Sequence, residues 1–136
     1  MKVTSTTIDN ITEILTRIIE FTDRRRDVLT RNLFDYKTTN FVPKDLPVCE
    51  FAECMTEAVS EHLRSQRLLM CDRDNVRFEA EGAFVTQPVV DHHAENLLQT
   101  DTKQYLQMQI NKLSENLMNN RIAVELLKQK QANGAL

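Results

Sequence analysis

An apolar repeat near the C-terminus limits what this chain can fold into, because it continues from Thr102 to Gln131 without a Gly or a Pro. Its positions recur at intervals of four and three residues: Leu106, Ile110, Leu113, Leu117, Asn120, Val124, Leu127 and Gln131. This spacing places one stripe along a helix that needs a partner helix. At about 1.5 Å per residue, such a helix would be roughly 45 Å long. The sequence predicts a C-terminal helix over residues 102–133 that packs lengthwise on another element.

A second long amphipathic helix is predicted over residues 1–38. Its seam has the same spacing, and other apolar residues, including Leu33, widen it: Ile8, Ile11, Leu15, Ile18, Thr22, Leu29 and Tyr36. Two such stripes at opposite ends of the chain predict that the helices pair as an antiparallel or coiled-coil hairpin. We therefore expect a mostly α fold in a single domain.

Polar residues interrupt both seams. Asn32 and Asn120 lie on them, where a buried amide can fix the register of two helices at a cost in stability. Arg25 also lies on the seam, within the run Arg24 to Arg26. Because Asp23 and Asp27 flank this run, we expect a solvated face whose charges compensate each other.

The middle of the chain, residues 39–101, is predicted to be largely irregular. A short helix is expected at about residues 48–63, with Asp45 as its cap and Pro47 in its first turn. His62 is expected to be a surface or edge residue rather than a ligand. Alternating side chains from Val76, followed by Gly82 and then Phe84 and Val85, favour one small β-hairpin. From Pro88 to Asp101 we expect a loop.

Composition and charge exclude several classes of function. The chain has 136 residues and a net charge of −3, with only two Gly and three Pro. Residues 38–101 carry five basic and twelve acidic side chains, which argues against a nucleic-acid partner. No apolar run approaches the ~18 residues of a membrane span, and the N-terminus lacks the pattern of a cleaved secretory signal. We expect a protein that is not embedded in a membrane.

The sequence offers no recognisable active site. The Cys49 and Cys54 spacing and the adjacent His92 and His93 do not form a usual zinc motif. Motifs of phosphate-binding loops and nucleophile elbows are missing as well. We expect no enzymatic activity, no metal and no cofactor.

Two segments resemble the bacterial flagellar rod proteins and their axial relatives. In the family, the end of the N-terminal helix has the form N-[IL]-A-N-x-x-T-P-G-[YF]. This chain has NLFDYKTTNF, which matches at Asn32, Leu33, Thr38 and Phe41. Asn40 stands where the family has Gly, and Asp35 stands for the second Asn. The following segment, VPKDLPVCEFAECMTEAV, is similar to its counterpart in the proximal rod proteins.

The C-terminal helix carries the second resemblance, to the family pattern L-A-x-N-x-[LM]-x-Y-x-A-x-V-x-L-L-x-x-K. The chain matches it without a gap at Leu113, Asn116, Met118, Val124, Leu126, Leu127 and Lys130. Asn120 replaces the Tyr of the pattern, and Ile122 replaces its Ala. The two segments occur in the order that the family has.

The resemblance to the proximal rod protein family implies a structural subunit of the flagellar basal body. Its terminal helices would polymerise into a tubular rod in the periplasm. Its partners would be copies of itself, other rod subunits, the ring–rod adaptor and the flagellar export apparatus, which would export it without a cleaved signal. Apolar residues off the seam, such as Met118 and Ile122, would contact neighbouring subunits.

An alternative of another class also fits the sequence. A small helical bundle could act as an adaptor or regulator that binds a partner helix or peptide. A compact dimer that melts cooperatively would favour the adaptor, and a chain that polymerises at high concentration would favour the rod.

Overall fold

The computed structural model describes residues 2–79 and 84–134, and the side chains of residues 10–79 and 84–133. It is 70% helical, which confirms the predicted fold class. The elements in chain order are α1 (Lys2–Phe34), β1 (Lys44–Asp45), α2 (Val48–Ser65), β2 (Val76–Phe78), β3 (Phe84–Thr86), β4 (Val89–Val90), α3 (His92–Thr100) and α4 (Thr102–Gly134). No helix among the described residues is long and apolar enough to span a membrane.

The two terminal helices pack along each other. Thr22 of α1 contacts Asn116 of α4, and Asn32, further along α1, contacts Gln109, which is earlier in α4. The helices therefore run antiparallel, as predicted. Each has 33 residues, which corresponds to roughly 50 Å of helix. The contact between these two helices is more extensive than the contact between any other two elements.

The hydrophobic core lies between α1, α2 and the β2–β3 hairpin. Phe51 of α2 stacks on Phe21 of α1 with 4.0 Å between ring centroids, and its ring is 5.8 Å from that of Phe84 in β3. The buried members of the core are Ile14, Phe21, Leu46, Phe51, Cys54, Met55, Ala58, Val76 and Phe84. The middle of the chain thus supplies the apolar cover for one face of α1.

Helix α2 was predicted nearly to its ends, but two details of its surroundings were wrong. Asp45 does not cap it, because the helix begins directly after Pro47 and no side chain caps its first turn. His62 is buried rather than at the surface, and its Nδ1 lies 3.3 Å from the Asn10 amide nitrogen. The helix ends where Gln66 adopts a left-handed conformation at φ 60°.

The small β elements and α3 position the two long helices. The predicted hairpin is present as β2 paired with β3, with its turn outside the described residues. The expected loop from Pro88 to Asp101 was wrong, since it contains β4, which pairs with β1, and α3. Asp91 caps α3 by accepting a hydrogen bond from the Ala94 N–H at 3.0 Å, and Asp101 does the same for the Gln104 N–H at 3.1 Å.

Candidate interaction surface

The face that α4 turns toward α1 is mostly polar. Its buried or half-buried positions recur at four and three residues: Tyr105, Gln109, Lys112, Asn116, Asn120 and Ala123. Amide side chains rather than leucines occupy the centre of this face. Buried amides are stable only when they find hydrogen-bond partners, so their contacts determine how the two helices fit.

Near the middle of the hairpin, two asparagines of α4 form hydrogen bonds with the same residue of α1. The Asn116 side-chain N–H donates to the backbone carbonyl of Thr22 at 2.8 Å. The Asn120 amide donates to the Thr22 hydroxyl at 2.8 Å and to the Asp23 carboxylate at 3.1 Å. A shift of either helix by one turn would break all three bonds, so this contact defines the register.

A second set of polar contacts lies where α1 ends and α4 begins. The Asn32 amide donates to Gln109 Oε1 at 2.9 Å and to the Lys44 carbonyl at 2.7 Å. The fully buried Tyr105 hydroxyl donates to the Asn32 carbonyl at 2.7 Å. Burial, together with the nearby Asp91 charge, raises the pKa of Tyr105 to about 12, which keeps this donor protonated. Asn32 therefore joins α1 to both α4 and β1.

A cluster of charged side chains links α1 and α4 to the middle of the chain. The Arg25 guanidinium binds both carboxylate oxygens of Asp45, at 2.8 and 3.0 Å. The Lys112 ammonium lies 3.3 Å from Asp45 and 2.7 Å from Asp91. The prediction of a solvated basic face is therefore wrong for Arg25, which is buried because Asp45 compensates its charge. Arg24 instead donates to the Phe84 carbonyl at 2.9 Å, and Arg26 is exposed.

Because polar side chains take the centre of the contact with α1, the predicted seam of α4 lies at the edge of that contact, where Leu113 and Leu117 border a pocket shared with α1. Ile110 is 51% exposed and Leu117 is 53% exposed. These residues were expected to be buried against the N-terminal helix, and the structure instead leaves about half of each side chain exposed. Leu113 and Val124 lie on the same side of α4 and are half-buried. We call Ile110, Leu113, Leu117 and Val124 the outer stripe.

The other residues predicted to pack occupy several environments. Leu15, Leu29, Asn32 and Asn116 are buried. Ile11, Ile18, Leu33, Phe41, Leu106, Asn120 and Leu127 are half-buried. Met118 is exposed, and the side chain of Ile8 is outside the described residues although its backbone is helical. The sequence prediction did not include Gln109, Tyr105 and Lys112. Their spacing of three and four residues from Asn116 and Asn120 would have indicated that they share one face of the helix.

A second apolar surface lies on another side of the hairpin. It is a groove of about 300 Å³ between α1, α2 and α4, and it has more apolar than polar lining. Ile122 and Leu126 contribute to it from α4, and Val48 and Phe51 contribute from α2. Leu126 follows Leu117 by nine residues, or about two and a half turns, so the groove and the outer stripe lie on roughly opposite faces of α4.

Groups suited to chemistry are scattered across the fold. Among the described residues, no group of three His, Cys, Asp or Glu side chains is placed to hold a metal ion. Cys49 is exposed near the start of α2, and His92 and His93 are exposed in the first turn of α3.

Comparison of the chain with models of protein families, with curated proteins and with solved structures found no match in any of the three. The resemblance to rod proteins therefore depends on the two motifs and on where the structure places their residues.

Replacement of Asp45 by Asn tests the charged cluster. Arg25 and Lys112 would lose their shared anion in a buried site, so we expect the free energy of unfolding to fall by about 3 kcal/mol. Urea unfolding at pH 7 measures it. The matched control is Asp27→Asn, because the Asp27 side chain is 68% exposed and should contribute under about 0.5 kcal/mol. Equal losses in the two variants would contradict the assigned role of Asp45.

Stability should decrease in acid. Burial alone would raise the pKa of Asp91, but hydrogen bonds from Lys112 and the Ala94 N–H outweigh it and lower that pKa. Hydrogen bonds from Ser65 and Arg64 lower the pKa of Glu61 to about 2. A carboxylate with a lowered pKa in the folded state stabilises the protein above its unfolded pKa of about 4, and this contribution is lost as the pH falls through the folded value.

We therefore expect the urea concentration at the unfolding midpoint to decrease as the pH is lowered from 4.5 to 2. The decrease should be smaller in the Asp91→Asn variant. A midpoint that stays constant over this range would refute the prediction.

Proposed function

We propose that the protein is a structural subunit of the proximal rod of the bacterial flagellum, which polymerises through its two terminal helices. The observation that carries the proposal is that Asn32 and Asn116, each of which matches an Asn of one rod motif, are buried amides that join α1 to α4.

The turn after α1 supports the same proposal. Asn40 stands at the Gly of the motif, and its φ is 63°. This left-handed conformation favours Gly, and Asn is among the residues that tolerate it best. The turn itself is held by the Thr38 N–H, which donates to the Asp35 carbonyl at 2.9 Å, and by the Phe41 N–H, which donates to the Thr38 carbonyl at 3.1 Å. The replacement of Gly by Asn is therefore conservative in backbone geometry.

The distribution of apolar surface supports a polymer. An open filament forms when one surface of a subunit binds a different surface of the next, so that the contact does not close. The outer stripe and the groove are two different apolar surfaces on opposite faces of α4. Amides occupy the centre of the α1–α4 contact, and Ile110 and Leu117 of the outer stripe remain about half exposed. We propose that neighbouring subunits cover both surfaces.

The biological setting follows from the rod proposal. The partners would be copies of the same chain, other rod subunits, the ring–rod adaptor and the flagellar export apparatus. The site of action would be the periplasmic rod of the basal body, reached by export from the cytoplasm.

The alternative of a helical adaptor draws its support from the groove, because amphipathic helices bind to partners through apolar grooves of this kind. Such a protein would form a complex of fixed size. Open-ended growth and a closed complex are therefore the two outcomes that separate the proposals.

The double substitution of Ile110→Ser and Leu117→Ser tests the rod proposal. Both side chains are about half exposed, so we expect the melting temperature of the monomer to change by only a few degrees. We expect sedimentation velocity to show growth with concentration in the unaltered chain and its loss in the variant. Swimming of a deletion strain should be restored by the unaltered gene and not by the variant.

The matched control is Gln107→Ser with Asn111→Ser, two exposed polar positions in the same part of α4, which should assemble and swim normally. Normal assembly and swimming of the stripe variant would contradict the proposal. A single complex of fixed size for the unaltered chain would favour the adaptor.

A further inference from the structure

Cys54 and Cys71 lie side by side although 17 residues separate them. Cys54 is fully buried on the inner face of α2, and its thiol donates a hydrogen bond to the backbone carbonyl of Cys71 at 3.0 Å. Cys71 is half-buried in the segment between α2 and β2. Adding the C=O and Cα–C bond lengths places the Cys54 sulfur within about 6 Å of the Cys71 Cα atom.

The segment that carries Cys71 is fixed to α2. The Arg73 guanidinium binds Glu57 at 2.8 Å and Glu53 at 3.5 Å. The Asn75 backbone N–H and side-chain amide bind the two oxygens of Glu50, each at 2.8 Å. These three acids and Cys54 are spaced along one side of α2, at intervals of three and four residues. The ion pairs therefore hold Cys71 beside Cys54.

We propose that Cys54 and Cys71 form a reversible disulfide bond, which makes this part of the fold a redox-sensitive staple between α2 and the segment that leads to β2. Disulfides join residues whose Cα atoms are about 4.4–6.8 Å apart. The Cys54 sulfur lies within about 6 Å of the Cys71 Cα atom, so we propose that rotation of the Cys71 side chain brings the two sulfurs together without unfolding. The third cysteine, Cys49, is exposed and would remain a free thiol.

The chemistry needs a disulfide oxidant such as glutathione disulfide. The thiolate of half-exposed Cys71 attacks one glutathione sulfur, which forms a mixed disulfide and releases one glutathione. The Cys54 thiol then gives up its proton and attacks the Cys71 sulfur, which releases the second glutathione. Two protein thiols are oxidised and one glutathione disulfide is reduced to two thiols. Burial raises the pKa of Cys54, although Arg73 opposes the shift, so Cys71 reacts first.

The inference does not rest on the proposed function. An oxidising compartment would favour the bond, and the bond would then restrain the core that α2 and the β2–β3 hairpin form over α1. A reducing compartment would leave both thiols free, with the hydrogen bond of Cys54 in place.

The test incubates the full folded chain with glutathione disulfide. The chain is then denatured in the presence of an alkylating reagent, which labels every free thiol, and is measured by mass spectrometry. We expect the mass of two hydrogen atoms to be lost, one alkylated cysteine at Cys49, and a peptide pair linked through Cys54 and Cys71. The melting temperature should rise by roughly 5–10 °C, because the bond closes a loop in the unfolded chain. A thiol reductant should reverse both changes.

Three variants serve as controls. Cys49→Ser should keep the bond and the rise in melting temperature. Cys54→Ser and Cys71→Ser should lose both, while circular dichroism of the reduced forms shows whether they fold. Full alkylation of all three cysteines in the oxidised unaltered chain would overturn the proposal, and so would a bond that includes Cys49.

Discussion

Asp45 is the residue on which the arrangement of the ends and the middle of the chain depends. Its carboxylate binds Arg25 of α1 and Lys112 of α4, and Lys112 also reaches Asp91, the cap of α3. The attraction between buried charges offsets the free-energy cost of removing them from water only when each charge contacts its partner in good geometry. Four elements must therefore come together at once, and no one of them can shift without leaving a charge uncompensated. Because buried ion pairs often add little net stability, we expect the cluster to contribute mainly a unique geometry.

The same principle extends along the hairpin. Asn116 and Asn120 form hydrogen bonds with Thr22, and Asn32 forms them with Gln109 and β1. Hydrogen bonds from side-chain amides therefore determine how α1 and α4 fit together. A hydrogen bond from a side-chain amide is directional, whereas apolar contact is not. Two apolar stripes can therefore shift by one turn with only a small loss of free energy. Because the polar side chains take the inner positions of α4, Ile110 and Leu117 lie at the edge of the contact and remain about half exposed. A subunit of a filament benefits from this division, since its own shape is fixed before its apolar faces meet neighbours.

Periodicity was sufficient to predict both long helices, their antiparallel pairing, α2 and the small hairpin. It failed for the rotation of α4, because a pattern of apolar residues assumes that leucine lies inside, and here Gln109 and Asn116 do. It also failed for Arg25, whose partner Asp45 is 20 residues away and cannot be identified from local sequence. Helix α3 was missed although Asp91 and Asp101 are both N-caps, which was a readable signal. Asn32, Asn116 and Asn120 could be predicted as packing residues, whereas Tyr105, Gln109 and Lys112 could not, because a pattern of apolar residues does not select them.

The central claim is that buried amides, rather than the apolar stripe, join α1 to α4. A double-mutant cycle between Asn32 and Gln109 tests it most directly, with Asn32→Ala, Gln109→Ala and the double variant unfolded in urea. The two side chains are 2.9 Å apart and both are buried, so the account predicts a coupling energy of about 1 kcal/mol or more. Losses that add within about 0.3 kcal/mol would contradict it, because the two amides would then act independently.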